Sequence, residues 1–197
     1  IFEKKIESLI TENKYKSIEW QIYFDNQCVS CGLTSSETSP EILKASDRPI
    51  YRIYSMTKPI ISVATIIAIE QNKLKLGDPI AKYLPFFDKI NVKLASGLIE
   101  PLKRPILVFD LLTHTSGLSY GFNYDCHIGK LYKNDKLIHQ SNLTLQKFVR
   151  NIAQYPIAFQ PGTKWQYSMA TDVLACILEI VSDSSIENIL SNLIFEP

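Results

Sequence analysis

Two short stretches of this 197-residue chain hold a serine where it could act as a nucleophile. The first is Tyr54-Ser55-Met56-Thr57-Lys58. A serine and a lysine three apart on the first turn of a helix project from one face. A serine hydroxyl attacks poorly without a neighbouring base. A lysine serves as that base if desolvation lowers its pKa, and Ile60 and Ile61 supply the apolar surroundings. The helix N-terminus adds a favourable field and backbone N–H groups for an oxyanion. Pro59 removes the hydrogen bond that the Ser55 carbonyl would otherwise accept, so distortion is expected beside the nucleophile. The second stretch, Gly117-Leu118-Ser119-Tyr120-Gly121, is a literal G-x-S-x-G. That motif forms a nucleophile elbow only between a strand and a helix. Here Ile106 to Thr113 reads as a helix and Asn123-Tyr124-Asp125 as a loop, so Ser119 is not expected to attack anything.

Thiols and imidazoles offer less. Cys28 and Cys31 form a C-x-x-C, the spacing of a redox pair or of half a zinc site. Cys126 and Cys176 stand alone, and His114, His127 and His139 show no ligand spacing to any cysteine. Because Cys28 and Cys31 fall in an alternating, strand-like stretch, residues three apart should face opposite ways. The expectation is buried or half-buried thiols without shared chemistry, and neither a metal nor a cofactor is implied.

The elements that must position these groups follow from periodicity. Phe2, Ile6, Leu9 and Ile10 predict an amphipathic helix over 2–12. Ser17 to Phe24 and Gln27 to Leu33 read as strands joined at Asp25-Asn26, a hairpin signal. Residues 34–48 read as loop, Ile50 to Tyr54 as a short β-favouring run, and Ser55 to Gln71 as a buried helix closed by Gly77-Asp78-Pro79. A helical hairpin region is expected next, with Ile106 to Thr113 its best-defined helix, and then an irregular aromatic stretch over 115–142. Thr144 should cap a helix running to Ala153. Gln160 to Thr163 should turn, and Ala170 to Val181 and Ser185 to Phe195 should form two further helices. A lone hairpin is marginal and cannot bury a helix as apolar as 55–71. More sheet is therefore expected from beyond Pro197, and residues 1–197 alone are expected to be inactive.

Three motifs in order carry a resemblance: Ser55-Met56-Thr57-Lys58-Pro59, Leu111-Leu112-Thr113-His114-Thr115-Ser116-Gly117-Leu118, and Pro161-Gly162-Thr163-Lys164-Trp165-Gln166-Tyr167-Ser168. From about Ile18 to Pro197 the chain resembles the penicillin-recognising serine hydrolases, above all the class C β-lactamase branch and its carboxylesterase relatives. The resemblance implies an α/β (α+β) fold of the β-lactamase/transpeptidase type, an antiparallel sheet flanked by helices plus a mostly helical domain. Residues 1–80 would form the first part of the α/β domain and 81–197 the helical domain. It implies acylation of Ser55, activation by Lys58, and proton transfer shared with Tyr167. A free tyrosine has a pKa near ~10, so Tyr167 acts as a base only if the lysine cation stabilises its phenolate. His114 is read as structural. Met169 stands where β-lactamases carry the asparagine of Y-x-N, and a thioether donates no hydrogen bond to a substrate amide. Met169 is thus the substrate-binding position that favours esters, as does the Tyr167-to-Leu174 pattern of esterase-type members. The family's third motif, K-T-G or its equivalent, would lie beyond Pro197.

Composition excludes other classes. With 46% hydrophobic and 21% charged residues, a chain of this length can bury roughly 70% of its unfolded surface, so disorder is not its main state. The net charge is +1 and the basic residues are scattered in pairs, which excludes a phosphate-tracking stripe and with it a nucleic-acid partner. The longest strongly apolar run, Pro59 to Ile69, falls short of the ~20 residues of a transmembrane helix. The expected partner is a small-molecule ester, amide or β-lactam, and the compartment, cytoplasmic or periplasmic, is left open. A D-alanyl-D-alanine carboxypeptidase and a non-catalytic scaffold of the same fold are the other readings.

Overall fold

The computed structural model describes residues 2–36, 50–137 and 143–196. Most of the expected 34–48 loop and His139 lie outside the described residues. Two units are defined by contacts, one ending at Arg52 and one beginning at Ile53.

In the first unit, helix α1 (Phe2–Thr11) buries Ile6 and Ile10, one turn apart as the periodicity requires. Strands β1 (Ser17–Phe24) and β2 (Gln27–Ser35) pair antiparallel. Asp25 and Asn26 both take left-handed backbone (φ 46° and 61°), the pattern of a two-residue turn whose twist matches the strands it joins. Trp20 meets Phe2 of α1 edge-on, ring centroids 6.1 Å apart, and donates to Ser30 Oγ at 3.2 Å. The register is irregular. Ser30 lies opposite Ile22 but Cys28 lies opposite Tyr23, which leaves Val29 as a bulge. Two expectations fall here. Cys28 and Cys31 are exposed rather than buried, and the extra residue cancels the alternation that would have set them on opposite faces.

The second unit opens with a 3-10 turn (Tyr54–Met56) leading into helix α2 (Thr57–Glu70). Because α2 starts at Thr57, Pro59 sits in the first turn, where amide hydrogens have no intrahelical acceptor anyway. The distortion falls before the helix: Tyr54 is left-handed at φ 46°. No strand forms over 50–54. The expected helical hairpin region consists instead of two 3-10 turns (Ile80–Lys82 and Pro85–Phe87) and a short hairpin, β3 (Asn91–Lys93) with β4 (Ile99–Pro101). Pro79, Pro85, Pro101 and Pro105 withhold the amides that longer helices would need. Helix α3 (Val108–Leu112) is shorter than expected, and α4 (His127–Asn134) emerges from the stretch read as irregular. Helix α5 (Leu145–Ile152) is capped as expected, with Thr144 Oγ1 accepting from the Lys147 amide at 3.4 Å.

Helix α6 (Ala170–Ser182) is the axis of this unit. Residues from Ala170 to Leu178 are buried almost without interruption, as in a helix apolar all round. It packs against α2, α3, α5 and α7 (Ile186–Leu190). Helix α7 continues into a π-helical turn (Ser191–Phe195) where one helix over 185–195 was expected.

An irregular segment, 157–169, leads into α6, and its backbone polar groups must be satisfied elsewhere. Ile157 exchanges hydrogen bonds with β3, accepting from Lys93 and donating to Asn91, both at 2.9 Å. Ala158 donates to Gly117 (2.7 Å), Gly162 to Thr115 (2.8 Å), Gln166 to His114 (2.9 Å) and Met169 to Ser119 (3.2 Å). Gly117 is left-handed (φ 86°), and a Cβ there would stand 2.5 Å from the Phe159 carbonyl. The glycine of the G-x-S-x-G thus serves close backbone approach. The 114–119 loop is held in turn by Asp110, 0% exposed, which accepts from Arg104 at 2.6 and 2.8 Å, from the Leu107 amide at 2.8 Å and from Thr115 Oγ1 at 3.1 Å.

Asp110 is buried but Arg104 is partly exposed; removing one partner of a fully buried ion pair typically costs ~3–5 kcal/mol, and the lower end applies where water reaches the other. Arg104→Met is therefore expected to destabilise the chain by about 3 kcal/mol in urea unfolding. Gly162→Ala should also destabilise, since its φ is +79° and a Cβ would stand 2.3 Å from Arg104 Nη2. An Arg104→Met chain as stable as the parent would show that the remaining donors suffice for Asp110.

Candidate active site

The 3-10 turn before α2 leaves Ser55 exposed, and Lys58 follows on the first helical turn, half-buried. Tyr167 arrives from the segment held against 114–119. Its hydroxyl donates to Ser55 Oγ at 2.6 Å across 112 residues of sequence. Two of the three expected catalytic side chains are thus in direct contact, and the third lies beside them. Lys58 Nζ stands 5.0 Å from the Tyr167 ring centroid and 5.2 Å from that of Tyr120, and it donates to the Tyr120 hydroxyl at 2.8 Å.

The electrostatics depart from the sequence expectation. Burial pulls the Lys58 pKa down, and it is the largest single influence. The hydrogen bonds and charges of Tyr120 and then Tyr167 together outweigh it, so the lysine ends above its ordinary value. Lys58 is therefore an ammonium ion at neutral pH, not a desolvated neutral amine. Tyr120 is itself pushed up, chiefly by burial and against the pull of Lys58.

His114 lies at a left-handed position (φ 55°), its ring 5.1 Å from that of Tyr167 and 6.3 Å from that of Trp165. Its Nδ1 is hydrogen-bonded to Ser168 Oγ at 3.2 Å. Burial, then the charge of Lys58, lowers its pKa and keeps the imidazole neutral. An uncharged ring packed on Tyr167 fits a structural role. Ser119 is fully buried, its Oγ against the Tyr120 carbonyl at 3.5 Å. Met169, expected to face the substrate, is 1% exposed in the core and does not line the cavity. The reason is its place at the start of α6, where the chain turns into the core.

The cavity at Ser55 holds about 480 Å³. Lys58, Tyr120 and Asp172 meet there with apolar walls that include Ile61, Phe122, Leu145, Ile186 and Leu190. Tyr120 and Asp172 received no role from the sequence. For Asp172 a signal existed, a carboxylate in the first turn of the largely apolar α6, within the esterase-type pattern. Burial raises its pKa and the Lys58 charge lowers it, with burial prevailing. Among the described residues no group of three or more His, Cys, Asp or Glu could hold a metal ion, and no helix is long and apolar enough to cross a membrane.

The beta-lactamase family model matches residues 2–197. Protein Rv1367c of Mycobacterium tuberculosis is 35% identical over 152 residues, covering 75% of this chain and 37% of that protein. Esterase EstB of Burkholderia gladioli is 33% identical over 153 residues, covering 75% of this chain and 36% of the esterase. Among solved structures, EstCE1, a hydrolase with promiscuous acyltransferase activity, superposes with a TM-score of 0.71 at 25% identity, over 99% of this chain and 51% of its own. The chain thus spans between about a third and a half of the length of these relatives.

A carboxyl group whose folded-state pKa is raised stabilises the fold below its unfolded value and loses that contribution as pH rises through the folded value. Asp172→Asn is therefore expected to melt at a higher temperature than the parent near pH 8, the gap closing as pH falls toward the ordinary carboxylate value of ~3.9. Melting curves across pH test this. A gap of constant size would assign the effect to packing rather than charge.

Proposed function

Since the chain belongs to the beta-lactamase family and is similar to an esterase and to a hydrolase with promiscuous acyltransferase activity, we propose that it forms the nucleophile-bearing part of a carboxylesterase-like enzyme. The observation that carries this reading is the 2.6 Å contact between Tyr167 and Ser55 beside the Lys58 ammonium.

The reaction runs through an acyl-enzyme. Tyr167, acting in its deprotonated form beside Lys58, accepts the Ser55 proton as Oγ attacks the ester carbonyl carbon. Backbone N–H groups at the start of α2 take up the charge that develops on the carbonyl oxygen. The tetrahedral adduct then collapses, the C–O bond to the alcohol breaks, and Tyr167 returns its proton to the departing oxygen. Water attacks the acyl-enzyme by the same relay, releasing the acid and restoring Ser55. Tyr120 holds Lys58 in place through its 2.8 Å hydrogen bond.

Esters are favoured over β-lactams. The position that supplies an amide donor in β-lactamases is Met169, which has no donor and packs in the core. The apolar walls of the cavity suit an acyl or alkoxy group better than a charged peptide.

In the full-length protein, intact mass after a fluorophosphonate probe is expected to show one adduct, absent in Ser55→Ala. An adduct that survives Ser55→Ala but not Ser119→Ala would overturn the assignment. Tyr167→Phe should lower kcat by ~10²–10⁴, the usual contribution of a general base. The kcat/KM for p-nitrophenyl butyrate should exceed that for nitrocefin, and the reverse order would favour a β-lactamase. Absence of both adduct and turnover would leave a scaffold.

A further inference from the structure

Cys28 and Cys31 take no part in the hydrolase reading, and the bulge in β2 gives them a relation of their own. Residues directly opposite in an antiparallel pair share a face, so Cys31 goes with Gln21 and Cys28 with Tyr23. Gln21 and Tyr23 lie two apart on β1, and the Tyr23 hydroxyl donates to Gln21 Oε1 at 3.3 Å, so that face is common to both. The two cysteines therefore stand on one face, spaced like residues two apart, ~6.6 Å between Cα atoms. Both thiols are exposed.

Spacing selects the chemistry. A disulfide brings sulfurs to ~2.05 Å and Cα atoms most often to ~5.5–6 Å, so this pair stands at the outer end of the range and closing the bond would draw the strand in. Two thiolates that share one ion at ~2.3 Å each remain roughly 4 Å apart, within reach of side chains on an unmoved backbone. The described residues bring no third His, Cys, Asp or Glu into a metal-binding group, so a four-ligand zinc site is not formed. Two thiolates alone suit a soft ion that accepts low coordination. We propose that Cys28 and Cys31 form a dithiolate chelate for a soft monovalent cation of the copper(I) type. Binding forms two metal–sulfur bonds and releases both thiol protons to solvent, with no change of oxidation state, so affinity rises with pH.

The test is an anaerobic titration of the full chain with copper(I) against a chromophoric competing chelator. The expected result is one ion per chain, with affinity falling ~100-fold or more in Cys28→Ser and in Cys31→Ser alike, because each loses the intramolecular second ligand. A register variant separates the bulge from the mere presence of two thiols. Insertion of one threonine between Ile22 and Tyr23 gives Val29 a partner and returns the cysteines to opposite faces, and it should bind as weakly as the serine variants. Parent-like affinity in either serine variant or in the insertion variant overturns the chelate. It is equally overturned if the parent binds copper(I) no better than the variants yet loses two mass units from the peptide holding both cysteines under peroxide, which would make the pair a redox couple.

Discussion

A carboxylate with no water around it must be met by donors on every side, and Asp110 is where this constraint is concentrated. Its two oxygens receive the Arg104 guanidinium, the Leu107 amide and the Thr115 hydroxyl. These bonds close the start of α3 and fix the path of the chain as it leaves that helix. The 114–119 loop so placed offers carbonyls to Ala158, Gly162, Gln166 and Met169 in turn. Tyr167 rides on that second segment, just before α6 begins at Ala170. The contact between Tyr167 and Ser55 thus depends on an ion pair that touches neither residue. The two glycines here, Gly117 and Gly162, both left-handed, are small because backbone and guanidinium occupy the space a side chain would need.

Around Ser55 the balance of charge is set by one cation and several groups that cannot easily ionise. Lys58 keeps its proton because two tyrosines stabilise the ammonium more than burial disfavours it. His114 stays neutral beside it, and the Asp172 carboxyl is pushed toward its protonated form. A positive charge held in partly apolar surroundings, with few competing counter-ions, is the condition under which a phenolate or an oxyanion becomes affordable. The left-handed Tyr54 just before Ser55 fits the same economy: a bulky residue in that region costs about 1–3 kcal/mol, and such strain gathers where geometry matters more than stability.

The helices were legible where their apolar period was long. Phe2–Thr11, the run after Ser55 and Ala170–Ser182 follow from spacing alone, and the Thr144 cap from the hydroxyl that precedes an amphipathic turn. The hairpin and its Asp25-Asn26 turn were equally plain, because local chemistry decides a two-residue turn. Short elements were not. Helix α4 and the β3–β4 hairpin are only eight and three residues per element, and their stability comes from packing rather than propensity. Of the candidate site, Ser55 and Lys58 stood out by their spacing and Tyr167 through the family resemblance, whereas Tyr120 carried no mark that separated it from neighbouring aromatics.

By itself, the sequence determined which residue types stand near each other in the chain: a serine one turn before a lysine, a C-x-x-C in a strand, a methionine in place of an amide donor. Local steric and hydrogen-bonding rules suffice for those. Tertiary structure decided the signs. It raised the Lys58 pKa where desolvation alone would have lowered it, because Tyr120 and Tyr167 arrive from 62 and 109 positions away. It turned Met169 into the core, because the first residues of α6 are drawn into the packed centre of the unit. It set Cys28 and Cys31 on one face, because a single unpaired residue in a ladder reverses alternation and a bulge is a property of two strands together.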